Sequence, residues 1–216
     1  MTAKDIPAVN RALAKEFAAH SAPVIELIEA QTHDPFCVLV GTILSARTKD
    51  ACTAKAVGRL FAAAQNGRFA PSDLDALPVG KIEELIYPVG FWRDKARHLK
   101  ALPGVLREKF GGVLPRTVEE LCELPGVGRK TANLTVAVGF GLPAICVDVH
   151  VHRICNRLAL VDTKTPFETE MALREILPRR YWKTWNSILV SFGQTRCGPL
   201  RPHCDGCPVK RYCVSP

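Results

Sequence analysis

Four cysteines, Cys197, Cys204, Cys207 and Cys213, fall within seventeen residues near the C-terminus, spaced C-x6-C-x2-C-x5-C. The loop around them, GPLRPHCDGCPVKRYC, is rich in Gly, Pro and basic residues and has almost no apolar periodicity. Such a loop cannot fold by burying its own side chains. It needs another fastening, and four thiolates converging on one centre supply one.

The remaining cysteines carry less. Nine is a high and odd count, but the opening residues, MTAKDIPAVNRALAKEF, lack the apolar run of a signal peptide, so secretion and a disulfide framework are not expected. Cys37, Cys52, Cys122, Cys146 and Cys155 stand in apolar helical contexts and are expected to be buried thiols acting as small hydrophobes. The longest apolar stretch, Ala132 to Val149, is interrupted by Gly139, Gly141 and Pro143, which argues against a membrane span. The expectation is a soluble cytoplasmic protein, nucleoid-associated in a bacterium. With 216 residues, 47% of them apolar, the chain has enough material for a sizeable core. A net charge of +8 favours a polyanionic partner, since each phosphate neutralised by Lys or Arg releases condensed counterions.

Helical patterns dominate and no run alternates as a strand would, so the chain reads as all-α with about ten helices. Thr117–Glu120 and Thr165–Glu168 read as capping boxes, the second with Pro166 at the first helical position. Helices are further predicted over Ile6–Ala19, Pro23–Gln31, Phe36–Ala46, Ala51–Ala64, Val79–Tyr87, Arg93–Phe110, Arg129–Phe140, Val149–Leu158 and Trp182–Phe192. A kink or break is expected at Leu102-Pro103-Gly104, because an interior Pro removes a hydrogen bond and clashes with the preceding turn at a cost of about 3 kcal/mol.

Between two of these helices lies Leu124-Pro125-Gly126-Val127-Gly128-Arg129-Lys130. Its glycines permit a tight turn, and the N–H groups freed at the new helix start suit a phosphate. A plain helix–helix corner is the alternative. Two similar strings, Leu77–Gly80 and Leu102–Val105, lack the second Gly followed by basic residues. Lys130 stands in a first helical turn, where the macrodipole disfavours a cation. An amine so placed is a candidate nucleophile, with a lysine that only reaches a phosphate as the equal alternative. Asp148 follows Ala144–Val147 at an N-cap position, so its simplest role is a capping carboxylate. His150 and His152 are expected to pack or face DNA rather than bind metal.

Taken in order, the strings LPGVGRKTAN (Leu124–Asn133), VDVHVHRICNRL (Val147–Leu158) and the four-cysteine loop resemble the endonuclease III family of DNA glycosylases. Weaker similarity runs through ILSARTKD (Ile43–Asp50), VGFWRDKA (Val89–Ala96) and GGVLP (Gly111–Pro115). The resemblance implies two all-α lobes flanking a DNA-binding cleft. One is a six-helix barrel over residues 30–142 with the helix-hairpin-helix, in which Gly126, Val127, Gly128 and Arg129 meet DNA. The other joins residues 1–29 to 143–216 and carries a [4Fe–4S] cluster on Cys197, Cys204, Cys207 and Cys213. Zinc also suits four thiolates, but this spacing in this family points to iron–sulfur.

By the same resemblance Lys130 attacks C1′ of a flipped nucleotide and Asp148 assists. Arg47 and Phe91 match the positions that fill the base stack, where the family's endonuclease III members usually have Gln and Leu. The implied activity is bifunctional glycosylase/AP lyase of base excision repair, acting as a monomer on oxidised pyrimidines or abasic sites in double-stranded DNA. Alternatives are a glycosylase for mismatched T or U, an enzyme that is mainly an AP lyase, and a non-catalytic DNA-binding or electron-transfer iron–sulfur protein. The adenine-specific mismatch glycosylases share the cluster spacing and the aspartate but usually lack the lysine.

Overall fold

The computed structural model describes residues 1–17 and 23–214. Among these there are twelve α-helices and no strand: α1 (Ile6–Phe17), α2 (Val24–Thr32), α3 (Pro35–Ser45), α4 (Asp50–Phe61), α5 (Pro71–Ala76), α6 (Val79–Ile86), α7 (Trp92–Phe110), α8 (Val118–Leu121), α9 (Arg129–Leu134), α10 (Val149–Arg157), α11 (Pro166–Ile176) and α12 (Trp182–Thr195). Of the expected first helix, Ala18 and Ala19 lie outside the described residues. The chain divides into two compact units, Val24–Leu142 and Met1–Pro23 with Pro143–Pro216.

The Val24–Leu142 unit is built on α3. Every residue from Phe36 to Leu44 is buried, as expected of a helix apolar on all sides. Its start is fixed by Asp34, whose Oδ1 accepts from Phe36 N at 2.8 Å, with Pro35 at the first position. Helix α2 approaches so closely that a Cβ on Gly41 would lie 2.5 Å from Ile28 Cδ1. The unit therefore begins at Val24 rather than at residue 30.

Two of the predicted helices need correction. Helix α7 runs from Trp92 to Phe110 through Pro103 without a break. Leu99, Leu102 and Leu106 are essentially fully buried, and burying each contributes about 1.5–3 kcal/mol, enough to outweigh the proline. The helix expected over Arg129–Phe140 stops at Leu134 and widens into a π turn over Thr135–Gly139, with Phe140 N donating to Thr135 O at 3.1 Å. At its end Gly139 packs on Pro35, where a Cβ would sit 3.1 Å from the Pro35 Cα.

Basic side chains close helix ends in this unit. Lys100 Nζ donates to the carbonyls of Leu74, Asp75 and Leu77 at the end of α5. Arg59 does the same for Leu85 and Tyr87 at the end of α6. Cations placed there also complement the helix dipole.

In the other unit α1, α10, α11 and α12 surround a core of Ile6, Val9, Leu13, Val151, Ile154, Leu173, Trp185 and Phe192. Thr165 Oγ1 caps α11 by accepting from Glu168 N at 3.2 Å. Cys37, Cys146 and Cys155 are buried, whereas Cys52 is only partly so and Cys122 is exposed. The burial expected for those two is corrected: Cys52 lies in the first turn of α4 and Cys122 on the exposed end of α8.

Candidate functional site

The hairpin forms where the sequence puts it. Val127 N donates to Leu124 O at 3.1 Å and Gly126 has φ 76°, the Pro-then-Gly order of a type II turn. A side chain there would collide with His98 of α7, since a Cβ would stand 2.8 Å from Nδ1. Gly128 then opens α9 with extended backbone, and Ala132 N donates to Gly128 O at 2.9 Å. Val127 is buried as the anchor of the turn, while Gly128 and Lys130 are exposed. The two similar strings form no such hairpin: Pro78 opens α6 and Pro103 lies inside α7.

Arg47 and Phe91 come from segments 44 residues apart and meet beside this hairpin. They line one open depression with Ile43, Ala46, Lys95, His98 and Gly126. Phe91 is 58% exposed although it is a large apolar ring. The Arg47 guanidinium carbon lies 5.3 Å from the ring centroid, within cation–π range. The structure thus brings together the hairpin glycine and both residues matched to base-stack filling.

Lys130 belongs to the Val24–Leu142 unit and Asp148 to the other. Asp148 is the N-cap of α10: its Oδ1 accepts from His150 N at 2.9 Å and from Val151 N at 3.0 Å. Asp148 as a whole is 7% exposed. His152 Nδ1 pairs with Thr169 Oγ1 at 2.7 Å, and His150 packs against Gly193. Neither histidine lines the cysteine cavity.

Cys197, Cys204, Cys207 and Cys213 line one cavity of about 240 Å³ with Ile154, Arg157 and Phe192. Among the described residues no three His, Cys, Asp or Glu side chains converge tightly enough for a single metal ion. Burial holds the Cys207 thiol above its usual range, so a thiolate there needs a cationic partner. The loop is held from below by arginines that sequence reasoning did not single out. Arg157 donates to Cys197 Sγ at 3.2 Å, Gly198 O at 2.7 Å and Pro199 O at 2.8 Å. Arg153 donates to Cys197 O at 2.7 Å, and Arg196 bridges Asp205 O to Glu16. The available signal was their one-turn repeat: Arg153 and Arg157 stand four apart on α10 and so share a face.

The family model of the HhH-GPD superfamily base excision DNA repair protein matches residues 40–179. Endonuclease III of Thermotoga maritima is 45% identical over 180 residues, covering 83% of each chain. The chain belongs to the endonuclease III family. Endonuclease III homolog 2, chloroplastic, of Arabidopsis thaliana is 46% identical over 188 residues, 83% of this chain and 48% of that one. The chain thus spans about half the length of its plant relatives. A solved structure of a trapped endonuclease III–DNA covalent intermediate superposes with TM-score 0.85 at 36% identity, covering 99% of this chain and 96% of that one. Within this endonuclease III family member no described helix is long and apolar enough to cross a membrane.

Proposed function

We propose that the chain is a DNA glycosylase and AP lyase of base excision repair, with oxidised pyrimidines in duplex DNA as substrates. The observation that carries the reading is the depression in which Arg47, Phe91 and the hairpin's Gly126 meet. It joins an exposed aromatic wedge, a cation and a turn fitted to a phosphate on one face of one unit.

A base inside a duplex is inaccessible, so the nucleotide is turned out at a cost of a few kcal/mol. Phe91 wedges between bases and Arg47 fills the vacated stack, offsetting that cost. Gly126, Val127, Gly128 and Arg129 hold the backbone through main-chain N–H groups and charge. The Lys130 amine, in its neutral form, attacks C1′; the C1′–N bond breaks and the base departs with its electron pair and a proton. The C1′–O4′ bond then opens to an imine between Lys130 and C1′. Loss of a 2′ proton expels the 3′ phosphate by β-elimination, and water finally frees the lysine. Asp148 takes up the lysine proton or stabilises the cationic sugar as charge develops at C1′.

Four cysteines of one loop lining one cavity fit a [4Fe–4S] cluster, which takes four cysteine thiolates. Cys197, Cys204, Cys207 and Cys213 would hold it, with the Arg157 guanidinium beside the Cys197 sulfur. When bound, the cluster supplies four iron–thiolate bonds that fasten a loop with no core of its own.

Duplexes carrying thymine glycol, uracil, a T mispair or an abasic site separate the substrate classes. Base release from thymine glycol with strand scission at the same site supports the proposal. Release confined to uracil or mispaired T, or scission of the abasic duplex alone, replaces it with one of the alternatives.

A further inference from the structure

Lys95 is a buried lysine that the proposed chemistry leaves unused. It lies in the first turn of α7 and is only 6% exposed. Its Nζ donates to Leu44 O at 2.8 Å, Ala46 O at 2.6 Å and Thr48 Oγ1 at 3.3 Å. All three acceptors are neutral oxygens at the end of α3 and in the turn that follows. Burying an ammonium without a counter-ion costs several kcal/mol unless its protons are matched, so the arrangement calls for a reason beyond solubility or packing.

The acceptors show what is being held. Thr48 Oγ1 also accepts from Gly90 N at 3.0 Å, linking the turn after α3 to the turn before α7. The two turns touch directly, since a Cβ on Gly90 would stand 2.6 Å from Arg47 O. Arg47 rides on the first turn with φ 52° and Phe91 on the second with φ 57°. Left-handed backbone at a non-glycine residue costs on the order of 1–2 kcal/mol and persists only where the surroundings over-determine it. Lys95, Thr48 and Gly90 are those surroundings.

We infer that Lys95 is a positioning residue that, through Thr48 and Gly90, fixes the Arg47 and Phe91 turns in the geometry needed to enter the base stack. The inference rests on the role proposed above for Arg47 and Phe91. Lys100 provides an internal contrast. Five residues further along α7 it closes the end of α5 through the same kind of carbonyl contacts and takes no part in the Arg47 and Phe91 turns.

The test uses the whole chain of this sequence, cluster-loaded, and a duplex with a tetrahydrofuran abasic analogue opposite 2-aminopurine, whose emission rises when it is unstacked. Wild type raises the emission. The Arg47→Ala/Phe91→Ala pair and Lys95→Met each lower the rise by about 3–10-fold, and Lys95→Met on the paired background adds nothing, because residues acting as one unit are not additive. Lys100→Met lowers thermal stability and leaves the emission rise intact. If Lys95→Met folds poorly, Thr48→Val cuts the link to Gly90 from the surface and lowers the rise in the same direction. A full rise in folded Lys95→Met or in Thr48→Val overturns the inference, as does a further loss when Lys95→Met joins the pair. An undiminished rise in the Arg47→Ala/Phe91→Ala pair overturns it too, and locates the failure in the assigned role of those two residues.

Discussion

The guanidinium of Arg47 lies 5.3 Å from the ring of Phe91, and each residue is held in left-handed backbone by the turn that carries it. Two strained neighbours facing outward are a stability cost that the core does not require. Phe91→Gly removes both the strain and the ring. It is expected to raise stability by about 0.5–1 kcal/mol while lowering the base-excision rate by about 10-fold or more. Urea unfolding and single-turnover excision on the same preparations check the two effects together. Loss of stability with unchanged excision would show that the ring serves packing.

Gly126→Ala meets His98 and a positive φ at once. The expected cost is about 1–3 kcal/mol, accompanied by weaker duplex binding as the turn shifts. Arg129→Gln, which leaves the turn alone, is expected to weaken binding uniformly across sequences and to reduce the salt slope by about one. Affinity for an undamaged duplex across a salt series measures both.

Burial pushes the Lys95 ammonium down to about 8, against about 10.4 in an unfolded chain. Between those values the unfolded chain keeps the proton that the folded chain has released, so stability rises with pH there. Below pH 8 the penalty is fully present. Relative to Lys95→Met, the wild type should gain on the order of 1–3 kcal/mol between pH 8 and pH 10. Unfolding curves of both proteins at each pH read this difference directly. A flat difference would mean that the three oxygen acceptors hold the charged form as strongly as water does.

Arg157 holds the cysteine loop through one sulfur and two carbonyl contacts. Arg157→Ala is expected to lower iron and sulfide content per chain, and Arg157→Lys to restore it only partly, because an ammonium cannot reproduce the planar fork. Metal analysis of the purified variants settles the matter without an activity assay.

Much of this was legible in the sequence because local signals agreed with one another. The hairpin announced itself through Pro-Gly-x-Gly between two helices, Asp148 as an N-cap, and Thr165 as the start of α11. Helix α5 was missed although Pro71 and Asp73 mark its start, because six residues offer too little periodicity to notice. The unbroken α7 was illegible because tertiary burial of its leucines overrode a local rule. The basic excess of the sequence pointed to a polyanionic partner but did not say where each cation sits. Part of that excess also ties the fold together, with Arg59, Lys95, Lys100, Arg153 and Arg157 all donating to main-chain carbonyls, and of these Lys95 is buried. The Lys95 contacts span about fifty residues of sequence and carry no local signature.

Borohydride reduction during turnover on an abasic duplex addresses the central assignment most directly, with mass spectrometry of the digested adduct to locate the bond. One covalent attachment is expected, at Lys130, and none in Lys130→Ala. An adduct mapped to another amine, or formed undiminished by Lys130→Ala, would contradict it.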